Sequence, residues 1–407
     1  MRFIPKQVFF AAFLLLVFTL LYSYRLGFPP TEYYDEVYHV KTAREFIALS
    51  GNTDTAHPPL GKMLVALTIR IFGDHSRVWR IIPFVSGIGV LLMFFLLAKK
   101  FFGEAKPALF AAVLFALDGI LITQSRITML NTTMVLFMLL TLWFFIKMLE
   151  EGGGAKPRNF LLCGVCLGLA AATRWIGFSI VPVMGILFLK YFPALKEKRK
   201  FLLKSTLLLT GVPVLAYFAV NSFLLLIKGY HFKDLWIYQV NMFHYHSTLT
   251  ATHGYGSEWW SWPVMTRPIW YFFERKDGII RGILCIGNPA VFWAFIPALG
   301  YLIWDFLKTH STRTAFILTG FLSQWLPWAL ISRVKFFHYY FTAMPFVALA
   351  LTLYFQAIWN TGRAGKIFAA CYFLLLLGMA AYWYPLWTAY PISEGYFQHH
   401  LWFKSWI

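Results

Sequence analysis

Two adjacent acids, Asp35 and Glu36, sit in a polar stretch, YYDEVYHVKTAREFIALSGNTDTAHPPLGK at 33–62, of an otherwise apolar chain. Such a pair can divide the work of a site: one carboxylate acts as general base while the other orients the site or holds a cation. Neighbouring side chains at a helix start point about 100° apart, so one reacting atom would not meet both equally. The competing reading is helix capping, because acids favour the positive end of the macrodipole. His57, Pro58, Pro59 and Lys62 follow. The residue before a proline is held extended, so His57 is presented on a stiff corner, with Lys62 able to offset the acids. Here the competing reading is an interfacial helix whose lysine snorkels to water.

Cations form the second constellation. Arg80 starts an apolar run, Arg126 lies in LDGILITQSRITMLNTT, Arg174 in AATRWIGFS, and Arg333, Lys335 and His338 in SRVKFFHYY. Each falls at a turn on the same side as Asp35. Charge at membrane depth is costly, and each could be a snorkelling anchor. Together they could instead line an electropositive pocket, and arginine's planar fork suits phosphate oxygens.

These residues need a frame. The chain of 407 residues is 59% hydrophobic and 13% charged, against about 25% charged in soluble domains. Eleven apolar runs, near 7–24, 81–98, 108–124, 128–147, 160–173, 175–190, 201–227, 283–307, 314–331, 338–358 and 367–386, predict an all-α polytopic membrane protein. The net charge of +19 reflects basic flanks of apolar runs rather than nucleic-acid binding. Arg2 and Lys6 precede the first run, and short basic connectors such as 190–200 alternate with longer loops. The short-loop rule then places the N-terminus in the cytoplasm and the loops 25–80 and 228–282, with the tail 387–407, outside. The first run resembles a signal peptide without a cleavage site and is read as a retained helix. We read 1–407 as one transmembrane domain, with 25–80 the loop carrying the acids and 228–282 a lid-like second loop. Residues 36–49 predict an amphipathic helix ended by Gly51, and Pro59 opens a second, interfacial one.

Other signals are weaker. The four cysteines imply packing, and the histidines at 231–253 lack an HExxH pattern. Walker motifs and GxSxG elbows are absent, which argues against an ATP-driven pump or a serine hydrolase. A flippase or transporter would favour charges at the midplane and internal repeats; Asp118 is the one residue pointing that way.

In combination and order, YYDEVYHVKTA, HPPLGK, SRVWRIIPFVSGIGVLL, LDGILITQSRITMLNTT, THGYGSEWWSWPVMTRPIWYF, IGNPAVFW and FFHYYFTAMP make the chain resemble the protein O-mannosyltransferases. These are polyprenyl-phosphate-sugar-dependent enzymes of the GT-C superfamily, with bacterial relatives. The resemblance implies a GT-C fold and transfer of mannose from a polyprenyl phosphate to Ser or Thr of secreted polypeptides. It implies Asp35 as catalytic base beside Glu36, and donor-phosphate contacts from Arg80, Arg126, Arg333, Lys335, His338 and Tyr339. Beside these, we read His57, Pro58, Lys62, Trp262, Arg267 and Asn288 as shaping the site. The site would face outward from a bacterial plasma membrane. No cofactor is called for, with a divalent cation left open. Two departures, a second loop too short for the large luminal domain and His338-Tyr339-Tyr340 where the family often has His-His-Tyr, leave sugar and acceptor open. The alternative acceptor is a lipid or glycan, as in the aminoarabinose transferases.

Overall fold

The computed structural model describes residues 6–154, 156–195 and 197–407; Arg2 and Lys196 lie outside them. The eleven apolar runs carry helical segments, except that 283–307 opens in a strand that ends at Cys285 and turns helical only at Pro289. Among the described residues, seven helices are long and apolar enough to cross a membrane, and three more are apolar but shorter. One of the runs that fall short carries a polar interruption. The run 108–124 breaks into Ala105–Ala116 and Gly119–Gln124, because Asp118 accepts a bond from the Ile120 amide at 2.9 Å and caps a new helix. Its other carboxylate oxygen takes the Asn288 amide at 2.9 Å, so the residue that hinted at transport serves as a staple between two elements.

The chain forms two compact units, one of 1–34, 94–126 and 251–407, the other of 35–93 and 127–250. The second carries the predicted platform. The Glu36–Ala48 helix ends at Leu49 in the left-handed region, two residues before the expected Gly51. Pro59 is the N-cap of the Leu60–Phe72 helix, as its fixed φ favours. Val40, Ala43 and Phe46 of the first pack with Val65, Ala66 and Ile69 of the second, over Val78 and Trp79.

The other unit holds what the sequence reading left out. Within 228–282 a hairpin pairs β1 (Ile269–Lys276) with β2 (Ile279–Cys285), and β2 pairs with β3 (Ile392–Ser393). The small sheet is an addition to the all-α expectation. Asp277 and Gly278 both have positive φ, 50° and 72°, the pattern a two-residue hairpin turn demands. A bulge between Trp270 and Phe272 accompanies buried Tyr271, whose hydroxyl accepts from Gln124. Gly119 is required by close approach: a Cβ there would lie 2.1 Å from the Ile286 carbonyl oxygen and 2.2 Å from the Trp387 indole nitrogen.

Candidate active site

Asp35 occupies the N-cap position of the Glu36–Ala48 helix, where its backbone carbonyl accepts the amides of Tyr38 and His39, each at 3.1 Å. Its side chain makes no capping bond, so capping does not account for this half-buried carboxylate. Glu36 is fully buried. Arg80 grips it as a fork, Nε to Oε1 at 2.8 Å and Nη2 to Oε2 at 2.9 Å. The Thr128 amide and hydroxyl donate to the same Oε1 at 2.8 and 3.0 Å. The two adjacent acids therefore differ in kind. Glu36 accepts four donors and is walled off, whereas Asp35 keeps access to solvent. Arg80, expected at the donor phosphate, has no solvent exposure and is committed to Glu36.

The His57 corner is built around a second buried charge cluster. Asp54 Oδ2 lies 3.0 Å from His39 Nδ1 and 3.4 Å from Lys62 Nζ. Lys62 also donates to the backbone carbonyls of Asp54 and of His57, the latter at 2.9 Å. Tyr238 Oη donates to the same His57 carbonyl at 2.6 Å, and His246 Nε2 donates to the Ala56 carbonyl at 2.7 Å. Burial pushes the Asp54 carboxyl up, but the Lys62 ammonium and the His39 imidazole outweigh it and hold it well below the usual carboxylate range. Burial lowers Lys62, with Asp54 restraining the drop. His57 is held well below the ordinary histidine range, first by burial and then by the Arg174 guanidinium. Lys62 thus fixes the corner rather than facing the acid pair. Pro58 is buried beneath it. Arg174 donates to the Asn131 side chain.

In the other unit the structure gathers Arg333, Lys335, His338, Tyr339 and Trp262. Arg333 Nη1 donates to Tyr339 Oη at 3.4 Å and its guanidinium lies 5.6 Å from that ring's centre. Tyr339 stacks on Trp328 at 4.4 Å. Buried Trp262 meets both rings edge-on and donates to Ser257 Oγ at 2.9 Å. Buried His338 stacks on Phe336 and stands edge-on to Tyr34 and Tyr339. Lys335 donates to the Ile331 carbonyl at 2.9 Å and pairs with Glu258 at 3.2 Å, while its carbonyl accepts the Ser257 amide. The 253–262 segment is thereby docked on the 328–340 turn.

Three expected site residues of this unit serve as ties. Arg126 Nη1 donates to the Tyr22 carbonyl at 2.6 Å and is buried. Arg267 reaches the carbonyls of Gly254 and Ser405, fastening the loop to the tail. Asn288 caps the Pro289–Thr309 helix and spans to the carbonyls of Leu117 and Leu376. The sequence reading missed Thr128, Asp54, Tyr238, His246, Glu258 and Trp328. Asp54, Thr128 and Glu258 stand inside the quoted motifs, and nothing in their spacing marks them as partners of Lys62, Glu36 and Lys335. Among the described residues no group of three or more His, Cys, Asp or Glu side chains is arranged to hold a metal ion.

Two protein-family models match the chain. The model for dolichyl-phosphate-mannose-protein mannosyltransferases covers residues 56–223, and the model for the C-terminal four-transmembrane region of protein O-mannosyltransferases covers 231–406. The polyprenol-phosphate-mannose–protein mannosyltransferase of Mycobacterium tuberculosis is 25% identical over 92% of this chain and 87% of its own. That of Corynebacterium glutamicum is 25% identical over 86% and 81%. The Saccharomyces cerevisiae Pmt1–Pmt2 complex bound to its sugar donor superposes with a TM-score of 0.87 at 15% identity, covering 100% of this chain and 93% of the matched one. ArnT from Cupriavidus metallidurans bound to undecaprenyl phosphate gives 0.63 at 15% identity, over 94% and 74%. The fold is that of the GT-C glycosyltransferases, in an integral multi-pass membrane protein, and the chain belongs to the protein O-mannosyltransferase family.

Proposed function

We propose that this protein is an inverting glycosyltransferase that moves mannose from a polyprenyl-phosphate donor to Ser or Thr hydroxyls of secreted polypeptides. The observation that carries the reading is the contrast within the acid pair: Glu36 saturated by Arg80 and Thr128, Asp35 half-buried and not spent on capping. In the reaction the acceptor hydroxyl oxygen attacks the anomeric carbon, and Asp35 takes its proton. The carbon–oxygen bond to phosphate breaks on the opposite face, and polyprenyl phosphate leaves with the electron pair. A positioned base supplies about 10²–10⁴-fold, and cations at the leaving phosphate supply electrostatic stabilisation.

Glu36 and Arg80 act on Asp35 by holding the helix start rigid, and Arg80 is a positioning residue. The donor phosphate falls to Arg333, Lys335, His338 and Tyr339, with Trp262 supporting Tyr339. The His57–Pro58 corner, held by Lys62, shapes the acceptor side. The N-terminus is cytoplasmic, and the site and C-terminus face outward from a bacterial plasma membrane, as the short basic connectors require.

The test is direct. Purified protein receives labelled polyprenyl-phosphate mannose and a Ser/Thr-rich peptide, and labelled peptide is the expected product. Label appearing only in lipid or glycan would give the acceptor to that class instead, and no transfer to either would remove the transferase reading.

A further inference from the structure

The Phe232–Thr248 helix has three faces. Leu235, Tyr238 and Met242 are buried in the core shared with the Glu36–Ala48 and Leu60–Phe72 helices. Lys233, Asn241, His244 and Thr248 form an exposed, mostly polar face that also carries Ile237. Between these, Phe232, Trp236, Val240 and Phe243 follow one another at helical spacing, and they are 80%, 67%, 49% and 64% exposed. Single apolar residues on a wet surface are ordinary, but a continuous row of four large ones marks a contact surface.

We propose that this row is seated in the headgroup–acyl boundary of the lipid bilayer, making Phe232–Thr248 an in-plane membrane helix. Continuity names the occupant. The chain reaches Phe232 from Lys198–Leu226, a segment long and apolar enough to cross a membrane, whose Leu215 and Leu226 are 70% and 62% exposed. Only residues 227–231 intervene, so Phe232 lies within about 22 Å of the end of that span. Exposed Lys228 and Lys233 flank the first turn, where they can meet lipid phosphates. Trp236, within the row, has the amphipathic ring that favours this depth. The polar face excludes a spanning orientation and suits one in the membrane plane.

The seat has a consequence for the corner at 54–58. From the buried side of the same helix, Tyr238 and His246 donate to the His57 and Ala56 carbonyls, and the His246 ring stacks on that of His57 at 5.5 Å between centres. A helix resting on lipid by one face and gripping the corner backbone by another fixes the height of that corner at the membrane boundary. The lipid seat is independent of the transferase reading; only its link to donor use rests on that reading.

The experiment uses the full chain with Cys371, the one exposed cysteine among four free ones, changed to Ser. Single cysteines at Trp236, Phe243, Asn241 and Thr248 carry a bimane label in phosphatidylcholine–phosphatidylglycerol vesicles, with or without nitroxide-bearing lipid. Lipid quenching about threefold stronger at 236 and 243 than at 241 and 248 is expected for a helix lying in the interface. Equal quenching at all four positions overturns the proposal. Shielding of 236 and 243 from both the lipid quencher and aqueous iodide also overturns it, in favour of a second copy or a polypeptide in the groove. The quenching needs no turnover, so it reads the same in Asp35→Asn. In the transfer assay, the Val240→Ser/Phe243→Ser variant should raise KM for the bilayer-borne donor about fivefold with kcat retained, while Asn241→Ser changes neither. An unchanged KM overturns the link to the corner.

Discussion

The segment that begins at Asp35 and the turn around Arg333 both concentrate charge in an apolar chain, yet they hold it by different means. In the first, charge is held by charge. Glu36 is closed by Arg80 and Thr128, and Asp54 by Lys62 and His39, all within hydrogen-bond or ion-pair reach. In the second, Lys335 is paired with Glu258, but Arg333 rests on rings: it lies over Tyr339, Tyr339 on Trp328, and Trp262 edge-on to both. A charge buried for good must be neutralised inside the protein, because an unpaired one costs several kcal/mol. A charge that meets a ligand can be given an aromatic shelf, which orients a guanidinium by its face. Under the proposed function, the first region would serve as a mount for Asp35, and the second as the cation surface that meets the donor.

The largest test of that division is Asp35→Asn. Turnover in the labelled-donor assay should fall about 10²–10⁴-fold, with expression and donor binding retained. Normal turnover would leave the mount with nothing to carry. Next in size is Arg80→Leu. It strands the Glu36 carboxylate without its fork, and a loss of about 3–5 kcal/mol of stability is expected in thermal melts. The double variant Arg80→Leu/Glu36→Leu should recover much of that loss. Donor KM rising in Arg80→Leu with its melting point unchanged would instead return Arg80 to the phosphate.

On the aromatic side, Arg333→Lys keeps the charge but loses the planar fork over Tyr339. Donor KM should rise about tenfold with a smaller change in kcat, measured from donor saturation curves. An equal fall in kcat with KM fixed would place Arg333 outside donor binding.

The smallest effect concerns pH. The folded protein holds His57 well below its ordinary value, so the unfolded chain takes up that proton first. The stabilisation is complete above about pH 6.5 and declines as pH falls below it toward the folded value. Asp54 is depressed from the ordinary carboxylate value, so its contribution persists until the pH falls below about 4. The melting point should therefore drop between about pH 6.5 and 5 because of His57, and the drop should be shallower in His57→Asn. A slope unchanged in that variant would assign the titration to another group.

Much of this was readable along the chain. Long apolar runs determined the membrane helices, since burying a backbone in lipid leaves few other options. Pro59 announced the helix behind it, and the acid pair, HPPLGK and the Trp-rich loop announced the family. The β1–β2 hairpin was also written there, in Asp277-Gly278 between apolar segments, but the surrounding aromatic density masked the alternation. Which acid is sealed off from solvent was not readable, because Asp35 and Glu36 are chemically alike and adjacent. Their difference comes from Arg80, 44 positions away, and Thr128, 92 positions away. The same holds for Lys62, which spacing aimed at the acids and the fold gave to Asp54 and two carbonyls. Sequence determines residue types and local periodicity, whereas the partner of a buried charge is set by which distant segments pack against it. Only the tertiary structure could decide that.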